Sequence, residues 1–172
     1  MDDAAAITRS LKDPQAFVDV FDRHYAAVHG FAGRRAGPDL ADEIAAETFT
    51  RAFDRRTTYD RTFPDARPWL LAIASNLLRR HWKSERRHLE AWAKADAGTP
   101  RHHALPDGLA SELIEALDAL APADREALLL LAWGELSYEE IARAMNTPVG
   151  TVRSRIARAR GHLSACLEDS HA

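Results

Sequence analysis

The sequence holds a single cysteine, Cys166, among its 172 residues. That excludes an internal disulfide framework and a cysteine-rich zinc site, and it suits a reducing cytosol. Long apolar runs are missing as well. The longest, Ala127 to Trp133, falls far short of the roughly 20 residues that a bilayer-crossing helix needs. The N-terminus opens on Asp2 and Asp3 where an export signal would carry basic and then apolar residues, so a cytoplasmic location without membrane insertion is expected. There is no glycine-rich phosphate loop, and no nucleophile is set beside a histidine in a recognisable catalytic pattern. Strand alternation is nearly absent, and the apolar spacing is helical almost throughout, which implies an all-α fold.

The net charge is −3, a mild acidity that by itself argues against nucleic acid. The distribution says otherwise. From Ile141 to Leu167 there are five arginines (Arg143, Arg153, Arg155, Arg158, Arg160) and no acid. From Asp107 to Glu140 nine acids face the single Arg125, and from Arg79 to Lys94 six bases face Glu85 and Glu90. Field effects follow such blocks, not their sum.

Along the chain, Asp13-Pro14 is an N-cap with proline at the first helical position. Behind it Phe17, Val20, Phe21, His24, Val28 and Phe31 recur at helical spacing as a buried stripe. Gly37-Pro38 ends that helix, and Asp39 is placed to cap the next, which runs to about Asp54. Residues 55–65 form a loop, and a long helix starts near Arg67. Residues 97–106, with Gly98, Pro100, His102, His103 and Pro106, have the composition of a flexible linker. Four helices follow, at about 108–120, 122–133, 138–145 and 148–167, with Gly134 punctuating the second. Two small helical domains are therefore expected, residues 1–96 and 107–172.

The C-terminal half carries a helix-turn-helix pattern. Ser137-Tyr138-Glu139-Glu140 is a capping box, Asn146 tolerates the left-handed conformation that ends a helix, and Thr147-Pro148 starts the next helix. On a helical wheel Val152, Ile156, Leu163 and Leu167 share one side. Gly150, Thr151, Ser154 and Arg158 take the outer surface, flanked by Arg153 and Arg155. Small residues let a helix approach base edges, and arginines contact guanine or phosphate. The competing reading is a plain helical hairpin with a solvated basic face.

In the long helix Asn76, Arg79, Arg80, Lys83 and Arg87 form one polar and basic stripe, opposite Leu70, Ile73, Ala74 and Leu77. Tyr59, Phe63, Trp69 and Trp82 lie nearby. A basic track beside aromatics fits single-stranded nucleic acid, which needs phosphate neutralisation and stacking surfaces. The same aromatics also fit an ordinary core.

Three ordered segments resemble the bacterial RNA polymerase sigma factors of the extracytoplasmic-function (ECF) group, in their two-domain form. Asp42-Glu43-Ile44-Ala45-Ala46-Glu47-Thr48-Phe49 is similar to the family's most characteristic segment. Arg67-Pro68-Trp69 through Asn76 is similar to its promoter-melting helix. Tyr138 to Ala142 and Pro148 to Arg155 are similar to its C-terminal helix-turn-helix. The resemblance implies a transcription initiation factor, with Asp42, Glu43, Glu47 and Phe49 docking on a coiled coil of the core polymerase clamp. It implies that Tyr59, Trp69, Asn76, Arg79, Arg80 and Lys83 hold the unwound minus-ten strand, where a base leaves the stack. Pro148, Gly150, Thr151, Arg153, Ser154, Arg155 and Arg158 would read the duplex minus-thirty-five element. An anti-sigma protein is a further implied partner. Ala46 stands where the family usually has glutamine, Ala66 where it often has an aromatic, and Asn146 where it usually has glycine.

Two other classes compete. An enzyme is the first: Glu43 and Glu47, at i and i+4, could form half of a carboxylate metal site. His102 and His103 fall in the linker, and Cys166 is expected to be a buried thiol. No catalysis, cofactor or metal is expected. The second is a stand-alone helix-turn-helix regulator, which would bind duplex DNA without polymerase.

Overall fold

A computed structural model of the chain describes residues 2–95 and 115–169, with side chains for residues 2–82 and 115–166. Every regular element among the described residues is helical. The helices are α1 (Asp3–Ser10), α2 (Val18–Ala36), α3 (Pro38–Asp54), α4 (Arg67–Ala95), α5 (Pro122–Ala132), α6 (Tyr138–Ala144) and α7 (Val149–Asp169), with 3-10 turns at Pro14–Phe17 and Arg56–Thr58. Residues 115–119 are also helical. The chain divides into two compact units, residues 1–81 and 82–172. The expected linker 97–106 and the start of the helix expected at 108 lie outside the described residues.

In the first unit, α2 and α3 pack together, joined only by Gly37. Gly37 takes φ +83°, a conformation open to glycine because it lacks a Cβ. Pro38 then occupies the first helical position. Asp39 is consequently inside the first turn and does not cap α3, a correction to the expected N-cap; its charge there still complements the helix dipole. The core gathers Val20, Val28 and Phe31 from α2, Ile44, Ala45 and Ala52 from α3, and Leu70, Leu71, Ala74 and Leu78 from α4. Phe21 departs from the expected stripe. It is partly exposed, at the rim, against Phe49 and Tyr25.

The helix α1 was not anticipated. Asp2 caps it, its Oδ1 accepting from the Ala5 N–H at 2.7 Å. Ala4, Ala6 and Ile7 bury its inner face. With so short an element, helix formation depends on that packing and not on intrinsic propensity.

In the second unit, Leu128 and Leu130 of α5, Ile141 of α6, and Val152, Ile156 and Ala159 of α7 are buried. Leu163 packs on the cluster of Leu120, Leu128 and Ala159; the side chain of Leu167 lies outside the described residues. The capping box forms as expected, with the Ser137 N–H donating to Glu140 Oε2 at 2.8 Å and the Glu140 N–H donating to Ser137 Oγ at 3.3 Å. Asn146 has φ +47°. The Thr147 N–H donates to the Ala142 carbonyl and the Asn146 N–H to the Arg143 carbonyl, the paired bonds of a Schellman ending. At the end of α5 the left-handed residue is Glu135 and not Gly134, so the glycine expected to punctuate this helix does so one position early. The last helix begins at Val149, with the Pro148 carbonyl accepting from Val152.

Candidate nucleic-acid interface

The helix α7 presents the face that its sequence implied. Pro148, Gly150, Arg153, Ser154 and Arg158 are exposed, and Thr151 and Arg155 are half-buried. A Cβ added to Gly150 would meet no protein atom within 4 Å. Helical glycine is less stable than alanine by up to about 1 kcal/mol, and no internal packing here compensates for it.

One side chain on this face is already engaged. Arg158 donates from Nε to Asp124 Oδ2 and from Nη2 to Asp124 Oδ1, both at 2.9 Å. Asp124 sits in the first turn of α5, its side chain only 10% exposed against 61% for Arg158. The hydrogen bonds from Arg158 hold the Asp124 carboxyl below its ordinary range, against the opposing effect of burial. Arg158 is therefore half of an ion pair on this face, and its guanidinium stays largely in solvent.

On α4, Asn76, Arg79 and Arg80 are exposed together, with Arg79 donating to Asn76 Oδ1. The side chain of Lys83 lies outside the described residues. The aromatics divide. Trp69 is half-buried, but Tyr59 is 6% exposed, donates its hydroxyl hydrogen to the Phe63 carbonyl at 2.7 Å, and packs 5.0 Å from the Trp69 ring. Tyr59 belongs to the core of the loop 57–65, which corrects its expected place as a stacking surface.

Behind that loop is a group that sequence reasoning missed. Asp3, 2% exposed, accepts from His24 Nε2 at 2.6 Å and from the Ala66 N–H at 2.7 Å on Oδ2, and from Arg23 on Oδ1. Its own N–H donates to the Pro64 carbonyl at 2.8 Å. One carboxylate thus ties α1 and α2 to the residues that lead into α4. The small, fully buried Ala66 sits inside this junction, at the position where the family often has an aromatic. Burial holds the His24 imidazole below its usual range; Arg23 and Arg67 reinforce that, and Asp65 opposes it. Ligand atoms of Asp3, His24 and Asp65 lie within 4.8 Å of one another. Both oxygens of Asp3 already have donors, however, and Arg23 supplies the positive charge that a metal would bring.

On α3, Asp42 and Glu43 are exposed and Glu47 pairs with Arg51 Nε at 2.6 Å. Asp42 also lies 3.1 Å from His29 Nε2. Phe49 is 5% exposed, so it supports this acidic face from beneath and does not project from it. Near the end of α7, Cys166 Sγ lies 3.6 Å from His162 Nε2. The thiol is half-buried, not fully buried as its place in the apolar pattern suggested.

Comparison with known proteins identifies both halves. Residues 20–88 match the model of sigma-70 region 2, and residues 110–163 match that of sigma-70 region 4. The RNA polymerase sigma factor CarQ of Myxococcus xanthus is 36% identical over 151 residues, covering 83% of this chain and 84% of that one. The ECF RNA polymerase sigma factor EcfG of Rhodopseudomonas palustris is 35% identical, covering 75% and 72%. Among solved structures, CnrH in complex with the cytosolic domain of CnrY superposes with a TM-score of 0.69 at 24% identity, over 97% of each chain.

Proposed function

The chain belongs to the bacterial ECF sigma factors, and from that premise we propose how its parts divide the work of transcription initiation. Residues 1–96 bind core RNA polymerase and the minus-ten strand, residues 97–106 link the halves, and residues 107–172 read the minus-thirty-five duplex. Asp42, Glu43 and Glu47 form the polymerase-facing surface, supported by Phe49. Trp69, Asn76, Arg79, Arg80 and Lys83 hold the opened strand. Melting needs no catalysis and no cofactor: bases and phosphates find these partners only once the strands part. The factor acts in the cytoplasm, where an anti-sigma protein covers one or both DNA-binding units. No described helix is long and apolar enough to cross a membrane.

The observation that carries this reading is the outer face of α7, small at its start, basic beyond, and set on a helix-turn-helix whose first helix carries a capping box. Reconstituted transcription tests it. Core polymerase with this chain should initiate from a promoter that core alone ignores; absence of promoter-dependent initiation would overturn the proposal.

A further inference from the structure

We propose that Asp124 is a specificity-determining residue, which turns Arg158 from a mobile phosphate contact into a fixed reader of one guanine in the duplex element. The inference rests on the reading of α7 as the recognition helix.

The geometry leaves the right edge of the guanidinium open. Arginine has five N–H donors. Asp124 takes the one on Nε and one on Nη2. Three remain, two on Nη1 and one on Nη2. The Nη1–Nη2 edge carries the parallel pair that matches guanine O6 and N7. Arg158 is 61% exposed in spite of its partner, so that edge can be reached from outside.

Asp124 is also placed to hold its partner still. It is buried on the first turn of α5, its own N–H donating to the Ala121 carbonyl at 2.9 Å, and α5 packs directly on α7. A free arginine loses much rotamer freedom when it binds; here that freedom is already lost before DNA arrives. The pair is electrically neutral, so Arg158 adds little to the pull on phosphates, which is independent of sequence. Fixed geometry with cancelled charge favours base reading over backbone attraction.

Holoenzyme assembled from core polymerase and the full chain provides the test. Binding is measured to a promoter duplex, to versions substituted at each minus-thirty-five base pair, and to unrelated duplex over a range of salt. R158A should abolish preference at one G·C pair. D124N should reduce preference at that same pair about tenfold, the lower end of what one bidentate contact supplies. It should also strengthen binding to unrelated duplex and steepen the salt dependence by about one counterion. D124E should restore part of the preference, and D124N should add nothing in the R158A background.

An equal rise on all sequences would instead make Asp124 a mask over Arg158, and an equal fall would make it a fold staple; either overturns the proposal. So does unchanged preference in D124N, or R158A without a position-specific effect while wild-type holoenzyme still initiates. Failure of the wild type to initiate at all would mark the failure of the sigma reading itself.

Discussion

Asp3 and Asp124 are both buried carboxylates that bind an arginine, yet the two units use them differently. Asp3 lies beneath the surface and collects three donors from α2 and the loop end, one of them the Ala66 backbone. Nothing it holds is offered outward except part of Arg23. Asp124 holds one guanidinium that remains largely in solvent, on the outer face of α7. A charge surrounded by protein donors cements a fold, whereas one that steadies an exposed group at a binding face shapes what that group can touch. On the proposed division of work, the first unit keeps a loop in position for a melted strand, and the second offers a rigid surface to a duplex.

The largest expected effect separates these roles by stability. D3A leaves Arg23, His24 and the Ala66 N–H without their acceptor and should cost about 3–5 kcal/mol, as breaking a buried pair does. D124A lets an exposed Arg158 return to water and should cost about 1 kcal/mol or less. Denaturant unfolding of the full chain measures both, and equal losses would erase the distinction. Next, N76A combined with R79A should leave minus-thirty-five recognition intact but impair strand opening. A pre-melted promoter should then restore initiation; without that rescue, α4 has a different role.

G150A should move stability and recognition in opposite directions. Helix α7 gains up to about 1 kcal/mol, while the added methyl enters the space left for DNA and weakens binding to the promoter duplex. Thermal unfolding and holoenzyme binding check the two signs. The smallest effect concerns pH. His24 is held below its usual 6.5 by burial, so below that pH the unfolded chain binds a proton that the folded chain resists. Stability should therefore fall as pH drops below about 6.5, with the penalty absent above it. H24Q keeps a donor for Asp3 and should flatten that slope in unfolding measured across pH; an unchanged slope would place the titration elsewhere.

Much of the second unit was legible from neighbouring residues. The capping box at Ser137 and Glu140, the left-handed Asn146 and the buried Val152 and Ile156 all depend on contacts within a turn or two, and local spacing reveals them. The same reasoning failed where partners are remote. Asp3 looked like a terminal acid, and helix α1 carried too weak a pattern to be seen. Its Asp3 meets Ala66 across 63 positions, and Arg158 meets Asp124 across 34. Tyr59 showed the limit of residue type, since an aromatic ring suits a stacking surface and a core equally well. Its burial places it in the interior.

The sequence alone determined the helical class, the division into two functional halves, the helix-turn-helix and the family. Each is written in period, caps and motif order, which are properties of short stretches. Only the tertiary structure decided which acids serve which bases, because a charge takes its meaning from what folding brings within hydrogen-bonding distance. A single cysteine leaves no internal disulfide to staple the fold. The fold is held in part by the buried carboxylate of Asp3, whose partners no local pattern could name.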